Sequence, residues 1–343
     1  MSNVICTLPW TTLQVDKPNG EAACCCLDRA KISWGNVIND GWENVWNGEK
    51  AQAHRAAMLQ GKIDEYCSHN CPILLSGAKA RTGITDIKNR TGVTSNNAMI
   101  AYNSIDSNLL VLKNTPIQIN LTISYLCNHN CIICGQNHSD QTQIPWKVLM
   151  ALKPWFETIE VIGFSGGEPV TSGIFIDFIS YLLKQSSEYR PSLGLITNGT
   201  LLHEGLLNKL ISIGITYLIV SVHAFSKETY RLLHGKDDYD NVMQTVQLVK
   251  QKTELQSKVA LAFTITPDNV DELQQFAIHW GNEGLWVYLI PEVGGEYDNE
   301  TNQALACKLS STLNDLLNLD NEIKARIYGI PACLEYVDRL VKS

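Results

Sequence analysis

From Pro116 onward the chain alternates short apolar runs with amphipathic stretches. IQINLTIS (117–124), IEVIGFS (159–165), LGLIT (193–197), YLIVSV (217–222), VALAFTI (259–265) and WVYLI (286–290) read as buried strands. Between them QIPWKVLMALKPW, GIFIDFISYLLKQ, HEGLLNKLISI, DNVMQTVQLVKQ and NVDELQQFAIHW read as helices. Strands that alternate with helices imply βα units on a parallel sheet. The expected fold class is therefore α/β, a partial (β/α)6 TIM-like barrel, with functional groups at the C-terminal ends of its strands.

The rest of the chain lacks that alternation. Residues 1–75 are rich in cysteine, tryptophan and turn residues and form an expected small cysteine-rich domain. Residues 76–114 are polar and turn-prone and read as a bridge. The barrel is assigned to 115–295, and 296–343 to a C-terminal helical segment built on TNQALACKLSSTLNDLLNL and PACLEYVDRLVK. No repeat of solenoid length is present.

Composition narrows the function. The chain has 343 residues, 45% of them hydrophobic, which suffices for a core without disulfides. A formal charge of −8 and the lack of a basic run disfavour nucleic acid as the main substrate. The opening MSNVICTLPW has neither the basic nor the apolar region of a signal peptide, and no apolar run has the length of a membrane span. A cytoplasmic protein is expected, with no membrane partner. Disulfides are rare there, so eleven cysteines call for another explanation.

Their spacing supplies one. The first barrel strand runs into YLCNHNCIICGQ, which gives Cys127-x3-Cys131-x2-Cys134. Three thiolates do not complete a tetrahedral zinc site. They suit three irons of a cubane [4Fe–4S] cluster, whose fourth iron stays open to a small molecule. The alternative is a zinc or structural site with His129 or His138 as fourth ligand; His129 is expected to be an exposed loop residue. The second strand ends in Gly166-Gly167-Glu168, where paired glycines allow a close backbone approach to a ligand and the acid can hold an ammonium. The third ends in Thr197-Asn198-Gly199, which also reads as a plain turn, the fourth in Ser221-Val222-His223, and the fifth carries Thr264.

This combination over roughly residues 115–295 resembles the radical S-adenosylmethionine (SAM) superfamily. The resemblance implies that Cys127, Cys131 and Cys134 ligate the SAM-binding [4Fe–4S] cluster. It implies that Gly166, Gly167 and Glu168 receive the SAM amino group, Ile133 the adenine and Ser221 the ribose, with Asn198 and Thr264 near the cofactor. Reductive cleavage of SAM would give a 5′-deoxyadenosyl radical, with flavodoxin or ferredoxin as electron donor.

The N-terminal cysteines fall at Cys6, Cys24–Cys26, Cys67 and Cys71. The segment resembles the SPASM/twitch domain, and Gly20 to Cys25 matches its Gly-x4-Cys element. The resemblance implies one auxiliary [4Fe–4S] cluster on Cys6, Cys25, Cys67 and Cys71, with the choice among Cys24, Cys25 and Cys26 open. Four thiolates also suit zinc, and buried unliganded thiols are a further alternative. Trp10, Trp34, Trp42 and Trp46 read as packing for a core-poor lobe.

The joined domains resemble peptide maturases that act on a ribosomally synthesised precursor peptide (a RiPP). The implied activity is cross-linking, epimerisation or backbone splicing of the splicease kind, with a small peptide-recognition protein as a further partner. Cys333 is the residue for hydrogen-atom return if the enzyme is an epimerase, with Cys307 as the second choice; both also read as ordinary buried cysteines. The rival readings are a small-molecule dehydrogenase, a protein-oxidising maturase, and a metal-binding scaffold without turnover.

Overall fold

The computed structural model describes residues 6–25, 30–68, 71, 95–292, 295 and 297–342. Cys26 and positions 76–94 of the expected bridge lie outside the described residues. Two compact units divide the chain: residues 1–127, 137–195 and 207–216 form one, and residues 128–136, 196–206 and 217–343 the other.

In the first unit, β1 (Thr12–Val15) pairs antiparallel with β2 (Glu21–Ala23), which pairs antiparallel with β3 (Gly35–Asn36). On its other side β1 pairs parallel with β4 (Gln118–Ser124), Thr12 opposite Gln118 and Val15 opposite Leu121. Parallel pairing continues through β5 (Val161–Gly166) to β6 (Ser192–Thr197). The N-terminal cysteine-rich segment thus adds strands to the edge of the sheet that carries the first barrel strands. Ile119, Leu121, Ile123, Ile162 and Phe164 bury their side chains along β4 and β5. Phe164 meets Phe175 and Phe178 edge-on, at ring-centroid distances of 5.1 and 5.7 Å, which seats their helix (Gly173–Leu182) on the sheet.

In the second unit, β7 (Ile215–Ser221), β8 (Val259–Ile265) and β9 (Trp286–Pro291) are parallel neighbours. Phe263 on β8 packs on Phe276 of the helix Leu273–Asn282, with centroids 4.8 Å apart. β4 to β9, with helices between them, give the element order of a partial (β/α)6 barrel, as the hydrophobic pattern predicts. Beyond the six expected strands and β1–β3, β10 (Ile327–Tyr328) pairs parallel with β9 inside the segment expected to be helical. Gly329 follows it with φ +95°, and a Cβ there would lie 2.0 Å from Leu289 O, so only glycine fits this exit. The helices Asn299–Leu317 and Ile330–Lys342 flank it and pack on each other. Among the described residues no helix is long and apolar enough to cross a membrane.

Candidate functional site

At the C-terminal ends of β4 and β5 the backbone itself makes the contact. Ser124 pairs with Gly166 beyond a register shift at the end of the ladder. Gly167 N–H donates to Ser124 O at 2.8 Å, and Glu168 N–H to Leu126 O at 2.7 Å. A Cβ on Gly166 would lie 2.3 Å from Ser124 O, and one on Gly167 2.2 Å from Leu126 O. The glycines therefore permit an approach to the chain leading into Cys127, where the sequence alone suggested an approach to a ligand. Glu168 is fully buried, and its Oε1 accepts from Val170 N–H at 3.0 Å, which fixes the carboxylate beside that segment.

In the second unit, the loop that carries Cys131 and Cys134 is held by side chains from three places. Asn198 Nδ2 donates to Asn128 Oδ1 at 2.8 Å, and Asn128 Nδ2 donates to Thr200 Oγ1 at 2.8 Å. Ile132 N–H donates to Leu233 O at 2.9 Å, from the helix Lys227–His234. That helix stops at Gly235 (φ +64°), where a Cβ would lie 3.1 Å from Asn130 O. Asn198, expected beside the cofactor, thus positions the residue after Cys127.

His129 is buried, which corrects the expectation of an exposed loop residue. The reason is the helix that follows β7. His129 Nε2 faces Asp238 Oδ2 at 3.0 Å, and its Nδ1 faces His234 Nδ1 at 3.3 Å. His234 Nε2–H donates to Val222 O at 3.0 Å, and its Nδ1 lies 3.4 Å from Cys131 Sγ. Two facing nitrogens need a hydrogen between them, and with His234 Nε2–H given to Val222 O it comes from His129. Burial pushes the His234 pKa down to about 4, which keeps that ring neutral at pH 7. Tyr230 and His223 each stack on it, with centroids 4.1 and 5.5 Å away. The ligand atoms of His129, Cys131 and His234 all lie within 4.8 Å of one another, a spacing that can hold a metal ion. His234, Asp238, Tyr230 and Asn128 belong to none of the motifs read in the sequence.

His223 ends β7 with φ +59°, a conformation uncommon outside glycine. Its Nδ1 accepts from Thr264 N–H at 2.9 Å, so the ring hydrogen sits on Nε2; burial lowers its pKa to about 3. Ser221 and Thr264 are half-buried at the ends of β7 and β8, and Ile133 is half-buried in the cysteine loop. Cys127 and Cys131 are half-buried and Cys134 is exposed. Away from these, Cys307 is exposed and Cys333 fully buried, its thiol pushed up to about 12 by desolvation.

The N-terminal lobe gathers a second set of thiols. Gly20 turns with φ +96° into β2, which delivers Cys24 and Cys25. Cys67 bridges Ala30, and Cys71 follows in the next turn. Burial pushes Cys6 and Cys67 up to about 12, and neighbouring thiols add to it: Cys25, Cys67 and Cys71 act on Cys6, and Cys25 and Cys71 on Cys67. Cys25 and Cys71 thus lie within electrostatic reach of both Cys6 and Cys67. Neighbouring thiols of this kind fit a site whose charge is supplied by a bound metal centre, which deprotonates coordinating thiols outright. Cys24 is a fifth thiol, buried, with Sγ 3.9 Å from His54 Nδ1. Trp34 Nε1–H donates to that same Nδ1 at 3.1 Å, which leaves the ring hydrogen on Nε2, facing Cys67 Sγ at 4.0 Å. All four tryptophans of the lobe are buried, and each indole N–H is bonded.

Two family models match this chain. The Radical SAM superfamily model covers residues 121–277, and the SPASM iron–sulfur cluster-binding domain model residues 6–72. The chain carries a radical SAM domain and a SPASM domain. The first domain implies a SAM-binding [4Fe–4S] cluster and SAM, and the second an auxiliary iron–sulfur cluster. An uncharacterised protein of Methanocaldococcus jannaschii is 28% identical over 146 residues, 41% of this chain and 46% of that protein. A probable GTP 3′,8-cyclase of Sulfurisphaera tokodaii is 26% identical over 184 residues, 51% of this chain and 56% of the relative. The chain thus spans about half the length of these curated relatives. Among solved structures, SuiB of Streptococcus suis bound to precursor peptide SuiA superposes with a TM-score of 0.43 at 16% identity, covering 82% of this chain and 66% of SuiB.

Proposed function

We propose that this radical SAM enzyme is a peptide maturase, which modifies a ribosomally made precursor by cross-linking, epimerisation or backbone excision. The observation that carries the reading is the joining, in one chain, of the radical SAM match at 121–277 to the iron–sulfur-binding match at 6–72. Proteins that this pairing resembles mostly act on peptides or proteins. Cys127, Cys131 and Cys134 are the only cysteines in the first match, and they are the proposed ligands of the SAM-binding cluster. Glu168, with Gly166 and Gly167, would take the SAM ammonium; Ile133, Asn198, Ser221 and Thr264 would line the nucleoside. When bound, SAM and the reduced cluster supply a radical able to abstract hydrogen. Cys6, Cys25, Cys67 and Cys71 are the proposed ligands of the auxiliary cluster. The same proposal includes a flavodoxin or ferredoxin as donor, a small recognition protein and a cytoplasmic setting. Cys333, a buried neutral thiol, is the proposed hydrogen donor if the reaction is epimerisation.

A nucleotide substrate is the second reading, favoured by the relatives named as probable GTP 3′,8-cyclases. One experiment separates the two. Reduced enzyme and SAM are incubated with a co-encoded peptide or with GTP, in light and deuterated water, and the products are weighed by mass spectrometry. The peptide reading predicts a mass loss of about two hydrogens, loss of a residue-sized fragment, or one deuterium per centre. An unmodified peptide alongside converted GTP would overturn it.

A further inference from the structure

Arg55 lies in the helix Glu49–Gln60 with no exposed surface. Its donors go to neutral acceptors: Nε to Pro9 O at 2.8 Å, Nη1 to Leu110 O at 2.7 Å and Asn47 Oδ1 at 3.4 Å, Nη2 to Trp46 O at 2.7 Å. Trp46 and Trp34 cover the guanidinium, with ring centroids 4.8 and 5.4 Å from Cζ. Among the described residues no carboxylate forms an ion pair with it. A guanidinium keeps its charge in proteins, and a buried charge without an opposite one is costly. Trp34, whose ring lies over Arg55, donates to His54 Nδ1, and that imidazole faces Cys24 Sγ at 3.9 Å and Cys67 Sγ at 4.0 Å. The thiol site thus lies one ring beyond the guanidinium, and Cys24 is the acidic group that acts on Arg55.

As neutral thiols those sulfurs offer Arg55 no counter-charge. Around an iron–sulfur core they do, because four thiolates outweigh the positive charge of the core, and every added electron makes the assembly more anionic. We propose that Arg55 is the buried counter-charge of the auxiliary iron–sulfur cluster and holds its reduction potential up. The proposal rests on the reading that the N-terminal thiols carry that cluster. A fixed positive charge in a poorly screened interior favours the more negative, reduced state. A purely structural arginine, tying Pro9, Trp46 and Leu110 together, would leave the potential where it is.

The test is a redox titration of the full-length, anaerobically reconstituted protein, followed by electron paramagnetic resonance. The auxiliary signal is the one that SAM does not perturb. Arg55→Gln should move that potential to more negative values, Arg55→Lys should stay near the parent, and the SAM-responsive cluster should not move in either. Asn47→Asp puts a carboxylate at the 3.4 Å contact with Arg55 and neutralises it without touching the guanidinium. It too should shift the auxiliary potential negative, and it decides the matter if Arg55→Gln fails to fold. An unmoved auxiliary potential in Asn47→Asp overturns the counter-charge role. Zinc in place of iron in the parent lobe overturns the cluster assignment, and this inference with it.

Discussion

Cys131 Sγ lies 3.4 Å from Nδ1 of His234, a residue 103 positions further along the chain. The contact ties the cysteine loop to the helix after β7, and behind it stand His129, Asp238 and the carbonyl of Val222. Replacing His234 by phenylalanine keeps a ring in the stack but leaves Val222 O without its donor. An unpaired buried polar group costs about 1–3 kcal/mol, so the unfolding free energy of the iron-free protein should fall by that amount and its denaturant midpoint with it. Denaturant titration checks it, and an unchanged midpoint would mean that this network adds nothing to loop stability.

The glycines of the second strand give a sharper contrast. A Cβ on Gly167 would lie 2.2 Å from Leu126 O, whereas one on Gly173 meets nothing within 4 Å. Gly167→Ala should push the segment before Cys127 away, costing about 1–3 kcal/mol or more and lowering iron incorporation. Gly173→Ala should be neutral or slightly stabilising. Thermal unfolding and iron analysis of the two variants compare them directly.

His223 predicts a pH dependence. Burial lowers its pKa from 6.5 to about 3, so below pH 6.5 the unfolded chain binds a proton that the folded chain refuses. Stability is therefore intact above about pH 6.5 and falls as the pH drops toward 3, by up to about 1.4 kcal/mol per pH unit from this residue. His223→Asn accommodates φ +59° and retains an acceptor for Thr264 N–H, but cannot titrate. Its stability should depend less steeply on pH between 6.5 and 5; an identical slope would remove His223 from the account.

Much of the fold was legible because the barrel strands are apolar runs set apart by amphipathic helices. β1–β3 and β10 were not, since strands of two to four residues leave no period to detect. The thiol-bearing segments could be read from spacing, because ligands on one loop are close in sequence. His234 and Asp238 could not, because they meet His129 and Cys131 only through the fold. A local signal did exist. Ser226 caps the helix by accepting from Thr229 N–H, and Gly235 ends it, which would have put His234 in the last turn. The same holds for His129: a polar residue in a loop looks exposed until the helix that covers it is known.

Glu168→Gln tests the SAM-side assignment. Removing the anionic partner of an ammonium should cost about 1.5–3 kcal/mol, a roughly 10- to 150-fold loss of SAM affinity. Iron content should stay unchanged, because Glu168 is not a proposed cluster ligand. Equilibrium binding of SAM to the reconstituted protein measures the first quantity, and parent-like affinity would reduce the motif to a turn.

The most direct measurement replaces Cys127, Cys131 and Cys134 together by alanine and follows iron and 5′-deoxyadenosine after anaerobic reconstitution and reduction. The account predicts a loss of about four irons, retention of the N-terminal iron, and no 5′-deoxyadenosine. A triple variant that still cleaves SAM at the parent rate would contradict it.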